Sequence, residues 1–211
     1  EKVIEMYFRA VGGKEAMSRL PSLFAKGTRI TQTGSLSKSV ASVEIYEKPD
    51  TDRYLLKTIS STEVVFRGFV GSAGSIGTET GSRPLGENDL AKLKEDEEFY
   101  QYLKLKDTFP RMAVLGREVV SGREACVIGA ATASGQRVKL YFDAHDGLLL
   151  RKLVSRKTLL GTILQTTDFG NYRVVGHLKL PFKITYTSPP LTITEELTEI
   201  SLNQSEKESF R

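Results

Sequence analysis

The sequence predicts a mainly β fold of the α+β kind: a large, curved antiparallel sheet of about eleven strands with helices across one face. Three observations carry this. Short Val-, Ile-, Thr-, Tyr- and Phe-rich segments separated by Gly, Pro, Asp and Ser fill most of the 211 residues. Strands and helices do not alternate, which argues against a doubly wound parallel sheet. Helical periodicity is confined to the N-terminus and to one internal stretch.

Residues 1–20 read as helix: Val3, Ile4, Met6, Tyr7, Phe8, Ala10 and Val11 crowd the first turns, Gly12-Gly13 interrupts them, Glu15-Ala16-Met17 resumes the pattern, and Pro21 ends the segment. Strands follow near 23–32, 39–48, 53–60, 62–70 and 73–79. Residues 87–104 form the second helical stretch, with Asn88 as its expected N-cap and Leu90, Leu93, Tyr100 and Leu103 at helical spacing. Pro110 closes it. Strands resume near 112–119, 124–131, 136–143, 148–156, 160–169, 179–187 and 191–202. Asp146-Gly147 between two apolar runs is a strong hairpin signal, and Ser121-Gly122 and Val175-Gly176-His177 mark two further turns. No composition shift marks a linker, so residues 1–211 are expected to form a single domain.

Composition narrows the function. Thirty basic against 26 acidic residues give a net charge of +4, too mild to call for a nucleic-acid partner. The basic residues concentrate in 101–190, which suits an anionic membrane surface or an acidic partner as well as an ordinary solvated face. One cysteine, Cys126, excludes an internal disulfide framework and a Cys-based zinc cluster. The longest apolar run, Leu148-Leu149-Leu150, is far too short to span a bilayer as a helix.

Catalytic motifs are weak. Gly68, Gly71, Gly74 and Gly77 follow an apolar strand, but neither Gly-Lys-Ser/Thr nor a helix comes after them, so they read as hairpin glycines. Ser35-Leu36-Ser37-Lys38 has the SxxK spacing of acyl transferases but sits in a polar turn. His145 and His177 stand at hairpin tips, and His145 with Asp143 and Asp146 is the one group with any metal-ligand character. The reading is of no catalytic residue, no metal and no cofactor.

One-sided hydrophobicity is more informative. Val138, Leu140 and Phe142 alternate, Leu148 and Leu150 are expected to continue that face, and Leu178, Leu180, Phe182 and Ile184 repeat the pattern. The opposite positions carry Lys139, Arg151, Lys179 and Lys183. Such a face must be covered. Either it closes over a packed core, or sheet and helices enclose an apolar cavity.

Several stretches together resemble the LolA/LolB-like periplasmic lipoprotein carrier superfamily, to which the RseB-type sensor domains are related. They are Ala10-Val11-Gly12-Gly13-Lys14-Glu15-Ala16, Val43-Glu44-Ile45-Tyr46-Glu47-Lys48-Pro49-Asp50 and Gly68-Phe69-Val70-Gly71. Further on come Leu140-Tyr141-Phe142-Asp143 with Gly147-Leu148-Leu149-Leu150-Arg151, and Tyr172-Arg173-Val174-Val175-Gly176 with Lys179-Leu180-Pro181-Phe182-Lys183-Ile184. The order is most similar to the acidobacterial-type "outer membrane lipoprotein-sorting protein" branch. That resemblance implies an incomplete β-barrel with a lid helix over a concave apolar face, exported to the periplasm and non-enzymatic. It implies a lipid or acyl-chain ligand, a membrane-surface or lipoprotein partner, and a monomer. The implied cavity residues are Val64, Phe66, Leu90, Leu93, Tyr100, Leu103, Val138, Leu140, Phe142, Leu148, Leu150, Leu180 and Phe182. Lys48 stands where the carrier has a gating Arg, and Gly74-Ser75 where the branch has Gly-Trp. A sensor or interaction module of the same fold, with no transported ligand, is the alternative.

Overall fold

The structure is a computed structural model, and it describes residues 2–13, 21–97, 104–132, 135–158 and 161–203. Helix α1 spans Lys2–Val11 and is followed by β1 (Leu23–Thr33), β2 (Ser37–Lys48), β3 (Arg53–Ile59), β4 (Val64–Val70), β5 (Ala73–Thr78) and β6 (Gly81–Pro84). Then come α2 (Glu87–Glu97), a single turn α3 (Leu105–Thr108), β7 (Arg111–Val120), β8 (Arg123–Ala131), β9 (Arg137–Asp143) and β10 (Leu149–Thr158). Strands β11 (Gly161–Val175), β12 (Leu178–Ser188) and β13 (Leu191–Leu202) complete the chain.

The hydrogen-bonded order is β6-β5-β4-β3-β2-β1-β13-β12-β11-β10-β9-β8-β7, an open sheet of thirteen strands whose ends are β6 and β7. From β2 to β6 and from β7 to β12 sequential strands pair antiparallel, the pattern expected when tight turns replace crossovers. The thirteenth strand beyond those expected is β6, whose Gly-Ser-Arg-Pro carries no apolar signal; backbone pairing with β5 alone makes it a strand. The second helix begins at Glu87, one residue before the expected cap. The Gly86 carbonyl accepts the Leu90 N–H at 2.9 Å, so Gly86 holds the cap position and Asn88 lies within the first turn.

The chain divides into two compact units. One contains α1, the tip of the β1–β2 hairpin and the chain from α3 to the start of β13. In this unit α1 buries Ile4, Tyr7, Phe8 and Val11, a stripe at helical spacing, and lies against β12. The other unit contains the start of β1, most of β2, β3 to β6, α2 and the end of β13. Its core includes Val43, Ile45, Tyr54, Leu56, Phe69 and Leu93.

The β9–β10 turn shows how the first unit fixes its hairpins. Asp143 is 3% exposed. Its Oδ1 accepts the backbone N–H groups of His145 (2.7 Å) and Asp146 (2.9 Å), and its Oδ2 pairs with Arg123 Nε at 2.7 Å. Arg123 also reaches Asp146 at 2.8 Å, and Asp146 Oδ1 accepts the Leu148 N–H at 2.9 Å. His145, Asp143 and Asp146 do meet, as a turn brace: both Asp143 oxygens are engaged by N–H donors. Among the described residues no three His, Cys, Asp or Glu side chains converge as metal ligands.

Burial alone would push the Asp143 carboxyl up, but the two backbone N–H groups and the Arg123 guanidinium outweigh it and hold it below the usual carboxylate range. Asp143 therefore stabilises the fold fully above its unfolded pKa of about 3.9, and this contribution is lost as pH falls through the lower folded value. Asp143→Asn is expected to lower the unfolding free energy at neutral pH by about 1.5–3 kcal/mol. Denaturant titrations between pH 2 and 7 are expected to show a weaker acid dependence in the variant, with the difference between the proteins shrinking at the acid end.

Candidate functional site

Strand parity decides which residues share a face, because side chains alternate across a sheet. In the first unit Phe142, Leu140 and Val138 of β9 stand opposite Cys126, Ile128 and Ala130 of β8. On the other side they meet Leu149, Lys152 and Val154 of β10. Thr167 and Gln165 of β11 continue from Lys152 and Val154. Phe169 pairs with Ile184, and Arg173 with Leu180, on the same face.

Helix α1 covers part of this face. The Tyr7 ring lies 5.1 Å from Phe142 at 58°, a tilted aromatic pair. At the hairpin tip, Gly147 has φ +77, and a Cβ there would lie 3.0 Å from the Met6 backbone. Only glycine fits both the turn and the approach of the helix. Leu140 is 0% exposed and Phe142 is equally buried, so these two are packed core beneath the helix.

The structure therefore sorts the expected cavity residues. Val138, Leu140, Phe142, Leu180 and Phe182 share the α1 face, and all are buried. Leu148 lies buried in the turn, its carbonyl accepting the Asp143 N–H at 2.8 Å. Leu150 does not continue that face. A bulge between Leu149 and Arg151 shifts the register, Leu149 takes the place beside Phe142, and Leu150 joins Val120, Ala125, Val127 and Tyr141 on the opposite face. Arg151 on that opposite face makes a two-pronged ion pair with Asp168, its Nη2–Oδ2 contact being 3.0 Å.

In the second unit α2 lies over β4 and β5. Gly74 is paired with Phe69, and a Cβ on Gly74 would come within 2.9 Å of Leu90 Cδ1, so the missing side chain is the space that Leu90 occupies. Leu93 is fully buried. Lys94 sits 4.6 Å above the Phe69 ring and binds Asp52 Oδ2 at 2.6 Å, joining the helix to the β2–β3 turn. Tyr54, Leu56 and Phe69 share the helix-covered face, with Tyr54 and Phe69 stacked at 5.8 Å.

Val64 and Phe66 belong to the other face. Their partners are Ile59 and Lys57, and the Lys57 ammonium lies 5.5 Å from the Phe66 ring. Lys48 has the same parity as Glu44 and Tyr46, away from the helix-covered face, and its ion-pair partner is Asp50 at 3.7 Å. The link between this turn and the helix runs through Lys94 and Asp52. Tyr100 and Leu103 lie outside the described residues. Ser35-Leu36-Ser37-Lys38 is a turn leading into β2, with Leu36 almost fully exposed.

A surface hollow of about 400 Å³ is lined by Arg117, Arg123, Glu124, Asp143, Ala144 and His145. Its charges are paired internally, Arg117 with Glu124 at 3.0 Å and Arg123 with Asp143 and Asp146. At the end strand β7, Val114, Leu115 and Val119 are exposed, Val119 to 73%. No described helix is long and apolar enough to cross a membrane.

No protein-family model and no curated protein matches the sequence. Solved structures do match in fold. A LolA superfamily protein from Nitrosomonas europaea superposes with a TM-score of 0.65 at 11% identity, covering 100% of this chain and 96% of that one. A DUF1329 family protein from Desulfovibrio piger gives 0.69 at 10% identity, with the same coverage. An outer membrane lipoprotein-sorting protein domain from Vibrio parahaemolyticus gives 0.63 at 12% identity, covering 93% and 92%. The chain has a LolA-like fold.

If α2 is seated through Leu93, Leu93→Ala is expected to lower the unfolding free energy by about 2–5 kcal/mol in denaturant titrations. Leu90→Ala, at a half-exposed position, is expected to lower it less. Equal effects of the two changes would contradict this seating.

Proposed function

We propose that this protein is a non-catalytic carrier that binds an acyl chain or another apolar ligand against the helix-covered face of its sheet. One observation carries the reading: in the first unit that face is apolar and buried across five neighbouring strands, β8 to β12. Apolar residues line the face from Ile128 and Ala130 through Val138 and Val154 to Leu178, Leu180 and Phe182. A face of this breadth offers an apolar bed along which an acyl chain can lie.

The likeness in fold to a LolA superfamily protein and to a lipoprotein-sorting domain supports the same reading. On this reading the chain works as one domain, monomeric, in an exported compartment, without a cofactor, and its ligand is a lipid or the acyl part of a lipoprotein. Val138, Leu180 and Phe182 are the contacts proposed for it. Leu140 and Phe142 form the floor on which it rests.

A second reading has its own support. Val114, Leu115 and Val119 project from β7, a long end strand whose outer edge has backbone groups available for pairing. An interaction module would use that edge to dock a protein or membrane partner.

Titration with a fluorescent fatty-acid probe separates the two. The carrier reading expects a saturable, blue-shifted rise in emission that unlabelled decanoate reverses. Emission that stays unchanged, or rises linearly without saturating, would contradict it and favour the docking module.

A further inference from the structure

The face of the first unit turned away from α1 has its charges sorted. Across β7 to β12 its acidic residues are Glu118, Asp143 and Asp168. Each is held by a cation of the same face. Lys139 lies 3.2 Å from Glu118, Arg123 2.7 Å from Asp143, and Arg151 grips Asp168 with two donors. Two exposed arginines of this face, Arg111 and Arg137, are left with no acidic partner among the described residues.

The register puts these two arginines together. Arg111 pairs with Ala131 and Ala131 with Arg137, so both stems rise from one row on either side of a methyl group. Their strands are two spacings apart, about 10 Å. Leu153 pairs with Lys139, so Ser155 and its partner Leu164 lie on this face as well. Leu164 is 54% exposed. Leu115 stands in the β7 bulge and lies over Gly129, its Cδ1 3.0 Å from the place of a Cβ there, and it is 59% exposed. Ala131, Gly129 and Ser155 between these longer side chains are too short to build walls, so the patch is open rather than a cleft. Neither feature serves the fold: exposed leucines gain nothing from water, and like charges in one row repel.

From this sorting we propose that the patch docks on an anionic lipid bilayer, with Arg111 and Arg137 on lipid phosphates and Leu115 and Leu164 in the headgroup layer. A guanidinium meets a phosphate with paired N–H donors, and its stem lies along apolar surface while its head stays in water. Each such cation adds its own increment of attraction to an anionic leaflet. An open patch has no groove to fix the register of a peptide, whereas mobile lipid heads can meet two arginines at any spacing. The proposal rests on the carrier reading for its purpose, since an acyl chain is loaded or released where lipids are, and it adds the surface that meets them.

Vesicle flotation tests it, with phosphatidylcholine alone and with equal parts of phosphatidylcholine and phosphatidylglycerol. The parent protein is expected to float with the mixed vesicles and to bind the neutral ones at least about tenfold more weakly. Arg111→Gln and Arg137→Gln are each expected to weaken binding to the mixed vesicles about fivefold, and together about thirtyfold. Leu164→Ser is expected to weaken it too, and raising the salt should shrink the arginine effects while sparing that one. Arg83→Gln with Lys92→Gln removes the same charge from the second unit and is expected to stay within about twofold of the parent. All five positions are exposed, so the variants are expected to keep the parent's denaturant midpoint, and the comparison between vesicles needs no variant. Equal binding of the parent to both vesicles, or equal loss in the control and in the arginine pair, would overturn the docking surface. So would binding to neither, which would leave an acidic protein as the partner of these arginines. Uptake of the fatty-acid probe by the same sample would then keep the carrier reading standing, whereas vesicle binding without probe uptake would overturn that reading and leave the surface.

Discussion

The structure depends on a parity constraint. Each residue of a strand belongs to one face, so an antiparallel meander with one covered face must keep its apolar residues in phase across every pair. In the first unit this phase is set at the β9–β10 hairpin. Asp143 closes the turn from beneath, Gly147 lets α1 approach, and the bulge after Leu149 returns β10 to register with Leu140 and Val138. Everything on the α1 face follows from it: Phe142 under Tyr7, Lys152 beside Leu140, Thr167 beside Lys152. A slip of one residue would turn Arg151 towards the helix and Lys152 away from it.

The second unit solves the same problem with a different cover. Helix α2 has few apolar residues, and Leu93 is its fully buried anchor. The remaining attachment is electrostatic: Lys94 lies over Phe69 and binds Asp52. An exposed ion pair adds at most about 1 kcal/mol, so the seating relies on Leu93 and on the close approach of Leu90 to Gly74.

Much of the fold was legible in the sequence because turn chemistry and alternation agreed. Asp146-Gly147, Ser121-Gly122 and Gly176-His177 all stand at hairpins, and the strands they join were readable from β-branched and aromatic alternation. The site was less legible, for reasons specific to each stretch. Val64-Val65-Phe66 is apolar at consecutive positions, so alternation alone does not say that Val65 and Phe69, rather than Val64 and Phe66, share the helix-covered face. The run Leu148-Leu149-Leu150 hides the bulge for the same reason. The place of Lys152 on the covered face had a signal that was available: in Arg151-Lys152, adjacent strand residues point to opposite faces, so one of the two had to face the covered side. Lys48 was singled out by position in a motif, but pairing puts it on the other face and leaves the contact with the helix to Lys94.

The central claim is that the broad covered face exists to hold an amphiphile. Native mass spectrometry of the protein purified from its own host, with lipid extraction of the same sample, tests it most directly. The account predicts a bound species that survives gentle desolvation, leaves on collisional activation, and is recovered in the extract as a molecule with an acyl chain. A homogeneous apo mass from gently purified protein, together with an extract that holds no such molecule above the level of a control protein, would contradict it.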